Sequence, residues 1–279
     1  MQPQFLDSNG QSIFTIYFQV PEHVKHVKTL LVVPPFAEEM NKSRKMLSDF
    51  ARMASVMGVA VLLVDLYGTG DSEGELEQAT WQQWHQDVAS CLAWLRENTP
   101  NVDIGLLGLR LGATLAMDIT CKNEALDISD VVLWQPVING KQFVGQFLRL
   151  RLAASVVTSG VKESAAQLQH ILAESGTLEV AGYMLNSQLI NDIEAINLST
   201  VNLATEREIR LTWYEVGMPP KKDLLPVSKK LIDVWQSGSQ DVATFFIAGI
   251  PYWSTQEIAT CEALSVSTLH NLLGLYENE

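Results

Sequence analysis

Two hydrophobic periods alternate along the chain. Continuous apolar runs, VKTLLVVPPF, VAVLLVDLYG, VDIGLLGL, DVVLWQPV, EIRLTWYEV and ATFFIAG, are short and rich in β-branched residues. Such runs predict strands covered on both faces. Between them the period lengthens: NKSRKMLSDFARMASVMG places Met46, Phe50, Met53 and Met57 three and four residues apart, with Asn41 as a cap and Gly58 as a stop. Thr80 to Gln83 fits the start of a second amphipathic helix, WQQWHQDVASCLAWLREN, and GATLAMDITCKN, PVSKKLIDVWQSG and EALSVSTLHNLLGLY predict three more. Asn9-Gly10 between two β-prone runs predicts an opening hairpin. Strands alternating with helices imply an α/β architecture: a mostly parallel sheet with helices on both faces.

From Val137 to Leu203 the strand period disappears. GKQFVGQFLRLRLAASVV and SAAQLQHILAESG read as helices with no strongly β-prone run between them. The order is therefore a hairpin, repeated βα units, a turn after the fifth strand, a helical insertion after the sixth, and two further βα units. That is the order of an α/β-hydrolase fold, with a core at 1–136 and 204–279 and a helical cap at 137–203.

The turn after the fifth strand carries the chemistry. Gly108-Leu109-Arg110-Leu111-Gly112 has the spacing of the G-x-S-x-G nucleophile elbow, with arginine in place of serine. Guanidinium stays protonated and offers donors without a lone pair, so Arg110 cannot attack a carbonyl. After the last strand, where the base is expected, stand Tyr252 and Trp253. His23, His26, His85 and His170 fall elsewhere, and His270 sits one helix later with structural spacing. Asp223 occupies the position of the triad acid after the seventh strand. A conventional Ser-His-Asp esterase is thus not expected.

Two alternatives to a nucleophilic serine at the elbow lie in the neighbouring loops. Ser72, in GTGDSEG, is a second candidate nucleophile whose ordinary role is turn chemistry, and Ser43 belongs to the first helical turns. Glu38 and Glu39 follow the third strand, where active relatives form an oxyanion loop, and could share acid-base work with Ser72 and Asp223. The favoured partner for Arg110 is one of these glutamates, with Asp223 as the alternative, because an unpaired buried cation is costly. Phe36, Trp134 and Trp253 are expected to converge with the elbow at the carboxyl edge of the sheet, under the cap. The leading expectation is a non-catalytic binder of a small carboxylate or phosphate. A hydrolase or acyltransferase around the acidic cluster and a scaffold stand as alternatives.

Composition narrows the field further. A formal charge of −13 argues against nucleic acid and anionic lipid. No apolar run is long enough for a membrane span, and the start lacks a signal-peptide pattern, which points to the cytoplasm. Cys91, Cys121 and Cys261 are too dispersed for a disulfide framework or a zinc site. No metal or cofactor is expected, since neither P-loop nor G-x-G-x-x-G spacing occurs.

PPFAEEMNKSRKM, DLYGTGDSEG, GLRLGA, LWQPVINGKQFVGQFLRLRLA and LEVAGYMLNSQL together resemble the exosortase A system-associated hydrolase 2 family across nearly the whole chain. The resemblance implies a bacterial setting of PEP-CTERM protein sorting and exopolysaccharide production, with that machinery as a partner. It supplies no reaction, because the family's name rests on its fold.

Overall fold

The computed structural model describes residues 1–123, 126–159, 163–201, 209–238 and 240–275. Its main sheet has eight strands, formed by β1 (Gln2–Ser8), β2 (Gln11–Phe18), β3 (Lys28–Val33), β4 (Val59–Val64), β5 (Asp103–Leu109), β6 (Asp130–Trp134), β9 (Arg210–Gly217) and β10 (Val242–Ala248). They lie in the order β1-β2-β4-β3-β5-β6-β9-β10. The opening hairpin turns at Asn9 and Gly10, both at positive φ, and β2 runs antiparallel to β4. Every later pairing in this sheet is parallel. This is the α/β-hydrolase fold.

The continuous apolar runs are explained by two separate cores. Leu31, Val33, Ala60, Leu62, Leu106, Val131 and Leu133 face one layer, with α2 (Trp81–Asn98), α3 (Leu111–Lys122) and α7 (Pro226–Ser237). Leu30, Val32, Val59, Val61, Leu107, Val132 and Trp134 face the other, with α1 (Glu38–Val56) and α8 (Glu262–Leu273). Successive strand residues point to opposite faces, so a strand sandwiched between helix layers must be apolar at every position.

Helix α1 begins three residues before Asn41, at Glu38, because Ala37 turns the chain sharply at φ 50°. Glu38 and Glu39 occupy its first turn, where the positive end of the helix dipole favours acids. The other early helix start is as the sequence indicates, with Thr80 Oγ1 accepting from the Gln83 N–H at 3.1 Å.

The segment after β6 is not purely helical. Between α4 (Gly140–Ser159), α5 (Ala165–Ser175) and α6 (Ser187–Ala195) lies a two-stranded antiparallel hairpin, β7 (Thr177–Val180) and β8 (Tyr183–Asn186). LEVAGYMLN alternates too briefly to show a period, and Ala181-Gly182 at positive φ supplies its turn. The expected boundary between Leu203 and Ala204 lies outside the described residues. The segment is stitched to the core: Asn186 Nδ2 donates to the Glu77 and Ala79 carbonyls at 2.7 and 2.8 Å, and Asn41 Nδ2 to Tyr183 Oη at 2.9 Å. Leu189, Ile190 and Ile193 of α6 join the main apolar cluster.

Candidate functional site

At the elbow, Arg110 links β5 to α3 with φ 56° and ψ −119°, a conformation few non-glycine residues adopt. The flanking glycines enforce it. A Cβ on Gly108 would lie 2.3 Å from Ala113 Cα, and one on Gly112 would lie 2.2 Å from the Pro34 carbonyl oxygen. Strand, turn and helix can approach this closely only without side chains at those two places. Ala37, after β3, and Gln135, after β6, also have positive φ, at 50° and 47°. Three strained residues therefore line the carboxyl edge of the sheet, each costing about 1–3 kcal/mol.

The Arg110 side chain is 18% exposed and Glu39 is its carboxylate partner, with Nε donating to Glu39 Oε1 at 3.0 Å. Nη1 donates to the Gln135 carbonyl at 3.3 Å, and the guanidinium carbon lies 5.7 Å from the Trp253 ring centroid. The other guanidinium N–H groups have no partner among the described residues. Glu38 turns instead to Lys42, Oε1 to Nζ 2.8 Å, in a pair open to water. Burial pushes the Glu39 carboxyl above the usual carboxylate range, and the Arg110 charge and hydrogen bond offset this only in part.

These groups line a cleft with about 630 Å³ of empty volume, part of it open to solvent. Phe36, Glu38, Glu39, Lys42, Arg110 and Trp253 form its floor and one side. Helix α4 supplies a further wall through Phe143, Phe147 and Leu150. The Phe36 ring packs on Phe143 and Phe147 at centroid distances of 6.1 and 5.2 Å. Phe36 also borders a smaller apolar recess lined by Met40, Trp81, Trp84, Leu111 and Leu115. Among the described residues, Glu39 Oε2, Ser43 Oγ and Tyr252 Oη are buried without a hydrogen-bond partner. Burial pushes the Tyr252 phenol well above its ordinary value, and the Glu39 charge adds to that.

The structure thus brings together Arg110, Glu38, Glu39, Phe36 and Trp253. It does not bring Trp134, Ser72 or Asp223 to them. Trp134 is fully buried: strand alternation turns it to the α1 and α8 layer, where it packs on Phe50 and its Nε1 donates to Thr268 Oγ1 at 3.0 Å. Ser72 performs turn chemistry, its Oγ donating to the Asp65 carbonyl at 2.5 Å and accepting from the Phe14 N–H at 2.7 Å. Asp223 is exposed and ion-paired with Lys229, and Lys229 together with the Leu224 N–H holds its carboxyl below the usual value. The acid-base constellation of Glu38, Glu39, Ser72 and Asp223 is therefore not assembled.

No histidine lines the cleft. His85 pairs with Asp118, His26 bonds to Thr29 Oγ1 and His170 to Glu174. Among the described residues, no group of three His, Cys, Asp or Glu side chains could hold a metal, and no helix is long and apolar enough to cross a membrane. Sequence reasoning missed the Gln135 carbonyl, the Tyr252 hydroxyl and the α4 wall. Only the wall carried a signal, the spacing of Phe143, Phe147 and Leu150 along one helix face.

With this geometry in hand, comparison with known proteins places the chain. The family model for Serine aminopeptidase, S33, matches residues 25–216, which include the elbow, Glu39 and the α4 wall. The chain belongs to that family. No curated protein matches the sequence. Among solved structures, Est1E from Butyrivibrio proteoclasticus is similar with a TM-score of 0.67 at 12% identity, covering 98% of each chain. Mouse alpha/beta hydrolase domain-containing protein 10 gives 0.56 at 12% identity, covering 99% of this chain and 100% of that one. XC6422 from Xanthomonas campestris, a serine hydrolase without lid, gives 0.55 at 13% identity, covering 100% and 95%. At such identities the likeness is one of fold. Within a family named for a serine peptidase, this chain presents Arg110 at the strained turn of the elbow.

Proposed function

We propose that this protein is a non-hydrolytic member of its family that captures a small carboxylate or phosphate in the cleft beneath the inserted segment. Its setting is the exosortase and exopolysaccharide system that its sequence resembles, with that machinery as partner. The observation carrying the reading is Arg110. A guanidinium at the N-terminus of α3, with N–H groups still unpartnered and an aromatic ring against one face, is suited to a planar anion. Acyl transfer at the elbow needs a nucleophile with a lone pair, and the Arg110 guanidinium offers none.

The test has two arms. Wild-type protein and Arg110→Leu are screened by thermal shift against acetate, benzoate, octanoate and inorganic phosphate, and stabilisation of wild type alone is expected. Both proteins, and Arg110→Ser, are then exposed to p-nitrophenyl acetate and a fluorophosphonate probe, with neither turnover nor labelling expected. Labelling of any serine in the wild-type protein overturns the reading and restores a hydrolase.

A further inference from the structure

The inference deepens the proposed anion capture and rests on it. Charge in the cleft already balances, Arg110 and Lys42 against Glu38 and Glu39. A monoanion entering this partly water-excluded space adds a negative charge with no counter-ion, which is unfavourable unless one carboxylate is neutralised. The two glutamates are not equivalent in this respect. Glu38 is 42% exposed, paired with Lys42 and supported by water. Glu39 has one oxygen on Arg110 Nε, while Oε2 is buried with no partner.

Ser43, four residues further along α1, shares the helix face of Glu39. Its Oγ and the Tyr252 Oη, on the 3-10 turn packed against that helix, are likewise buried and unpartnered. Neither hydroxyl is within hydrogen-bond reach of Glu39 Oε2, so among the described residues its ionised form rests on Arg110 alone. Protonation removes a buried charge that would be left uncompensated when its place on Arg110 passes to the incoming anion. The remaining titratable neighbours do not compete for the proton. Burial pushes the Tyr252 phenol and the Cys261 thiol up, so both stay neutral.

The walls define the rest of the ligand. Phe36, Phe143, Phe147, Leu150 and Trp253 offer aromatic and aliphatic surface along the cleft, the kind of lining that holds the body of a small molecule. We infer that the cleft takes a monoanion with an apolar body, such as a medium-chain or aryl carboxylate, and takes it together with one proton from solvent, which ends on Glu39.

Isothermal titration of the full-length protein with octanoate, between about pH 6.5 and 8.5, tests this, with acetate and 1-octanol as comparators. Octanoate is ionised throughout, so binding linked to one proton weakens about tenfold per pH unit above the Glu39 titration. The expected result is that slope in wild type, a pH-independent Kd in Glu39→Gln, and weaker binding of both comparators. Glu39→Gln is isosteric, and its melting curve checks that it is folded. A pH-independent Kd in wild type, or loss of octanoate binding in folded Glu39→Gln, overturns the proton coupling and leaves anion capture standing. Acetate binding as tightly as octanoate overturns the apolar body alone. No octanoate binding overturns the apolar-bodied monoanion, and 1-octanol binding equally well overturns anion capture itself.

Discussion

Replacing Glu39 with alanine removes the carboxylate partner of Arg110 and leaves a guanidinium held by one long hydrogen bond to the Gln135 carbonyl and by the Trp253 ring. Breaking a fully buried pair costs about 3–5 kcal/mol, and breaking an exposed one about 0–1 kcal/mol. Arg110 and Glu39 are 18% and 21% exposed, so the pair belongs nearer the buried limit. The cleft nevertheless admits water to the guanidinium, which lowers the cost to about 2 kcal/mol. For a chain of this size that is a fall in Tm of about 3–4 °C. Glu38→Ala is the internal control: its pair with Lys42 is exposed, and a loss within about 0.5 kcal/mol is expected. Arg110→Leu in the Glu39→Ala background should recover much of the loss, because the orphan charge is gone. Urea unfolding of the two singles and the double gives the coupling energy directly. Additive single effects, or equal losses for Glu38→Ala and Glu39→Ala, would refute the assignment of Glu39 as the counter-ion.

Three further outcomes follow from the same structure. Because the folded state raises the Glu39 carboxyl, its protonated form adds stability that is complete below about pH 4.5 and lost as pH rises through the folded value; urea unfolding should show wild type losing ground to Glu39→Gln over that window, and a gain would mean the Arg110 charge outweighs burial. Asp118 behaves oppositely: burial raises its carboxyl, but hydrogen bonds from His85, Trp81 and Lys122 outweigh that and bring it to about 2, so Asp118→Asn should cost about 2 kcal/mol at pH 7 and progressively less as pH falls from about 4 toward 2. Gly112→Ala should cost more than about 3 kcal/mol in the same assay, since its Cβ would meet the Pro34 and Val33 carbonyl oxygens at 2.2 and 2.4 Å, whereas Gly145→Ala on α4 meets nothing within 4 Å and should gain about 0.5–1 kcal/mol.

What was legible in the sequence was whatever a local period encodes. A strand between two helix layers must be apolar at each position, so VAVLLV and DVVLW could be read directly, and the glycines around Arg110 marked a close strand-to-helix turn. The β7–β8 hairpin escaped because four-residue strands are too short to display alternation, and its turn, Ala181-Gly182, is not among the strong hairpin signals. Trp134 was placed at the right edge of the sheet but on the wrong side of it, because burial on both faces erases the pattern that would tell them apart. Glu38 and Glu39 were equivalent in sequence, and only the helix start at Glu38 turns one toward Lys42 and the other toward Arg110. Asp223 illustrates the reverse failure: its position after β9 matched the expected acid, yet its side chain lies in water on Lys229.

The retained strain at the elbow is not by itself a sign of function. Gly108 and Gly112 bring α3 so close to β3 and β5 that the turn cannot relax without separating helix from sheet, whatever side chain stands at 110. The identity of that side chain is a different matter. A glycine there would relieve about 1–3 kcal/mol of backbone strain and require no counter-ion. Arginine instead keeps the strain, introduces a charge that must be desolvated, and holds a glutamate whose second oxygen is left without a partner. Each of these terms lowers stability, and packing does not compensate, because Arg110 borders a cleft that is still open. Residues that cost stability without filling space are expected where a ligand completes the arrangement. In this molecule they converge on one guanidinium, one buried carboxyl and an aromatic wall, which is why the cleft, and not the remnants of a triad, is where its activity should be sought.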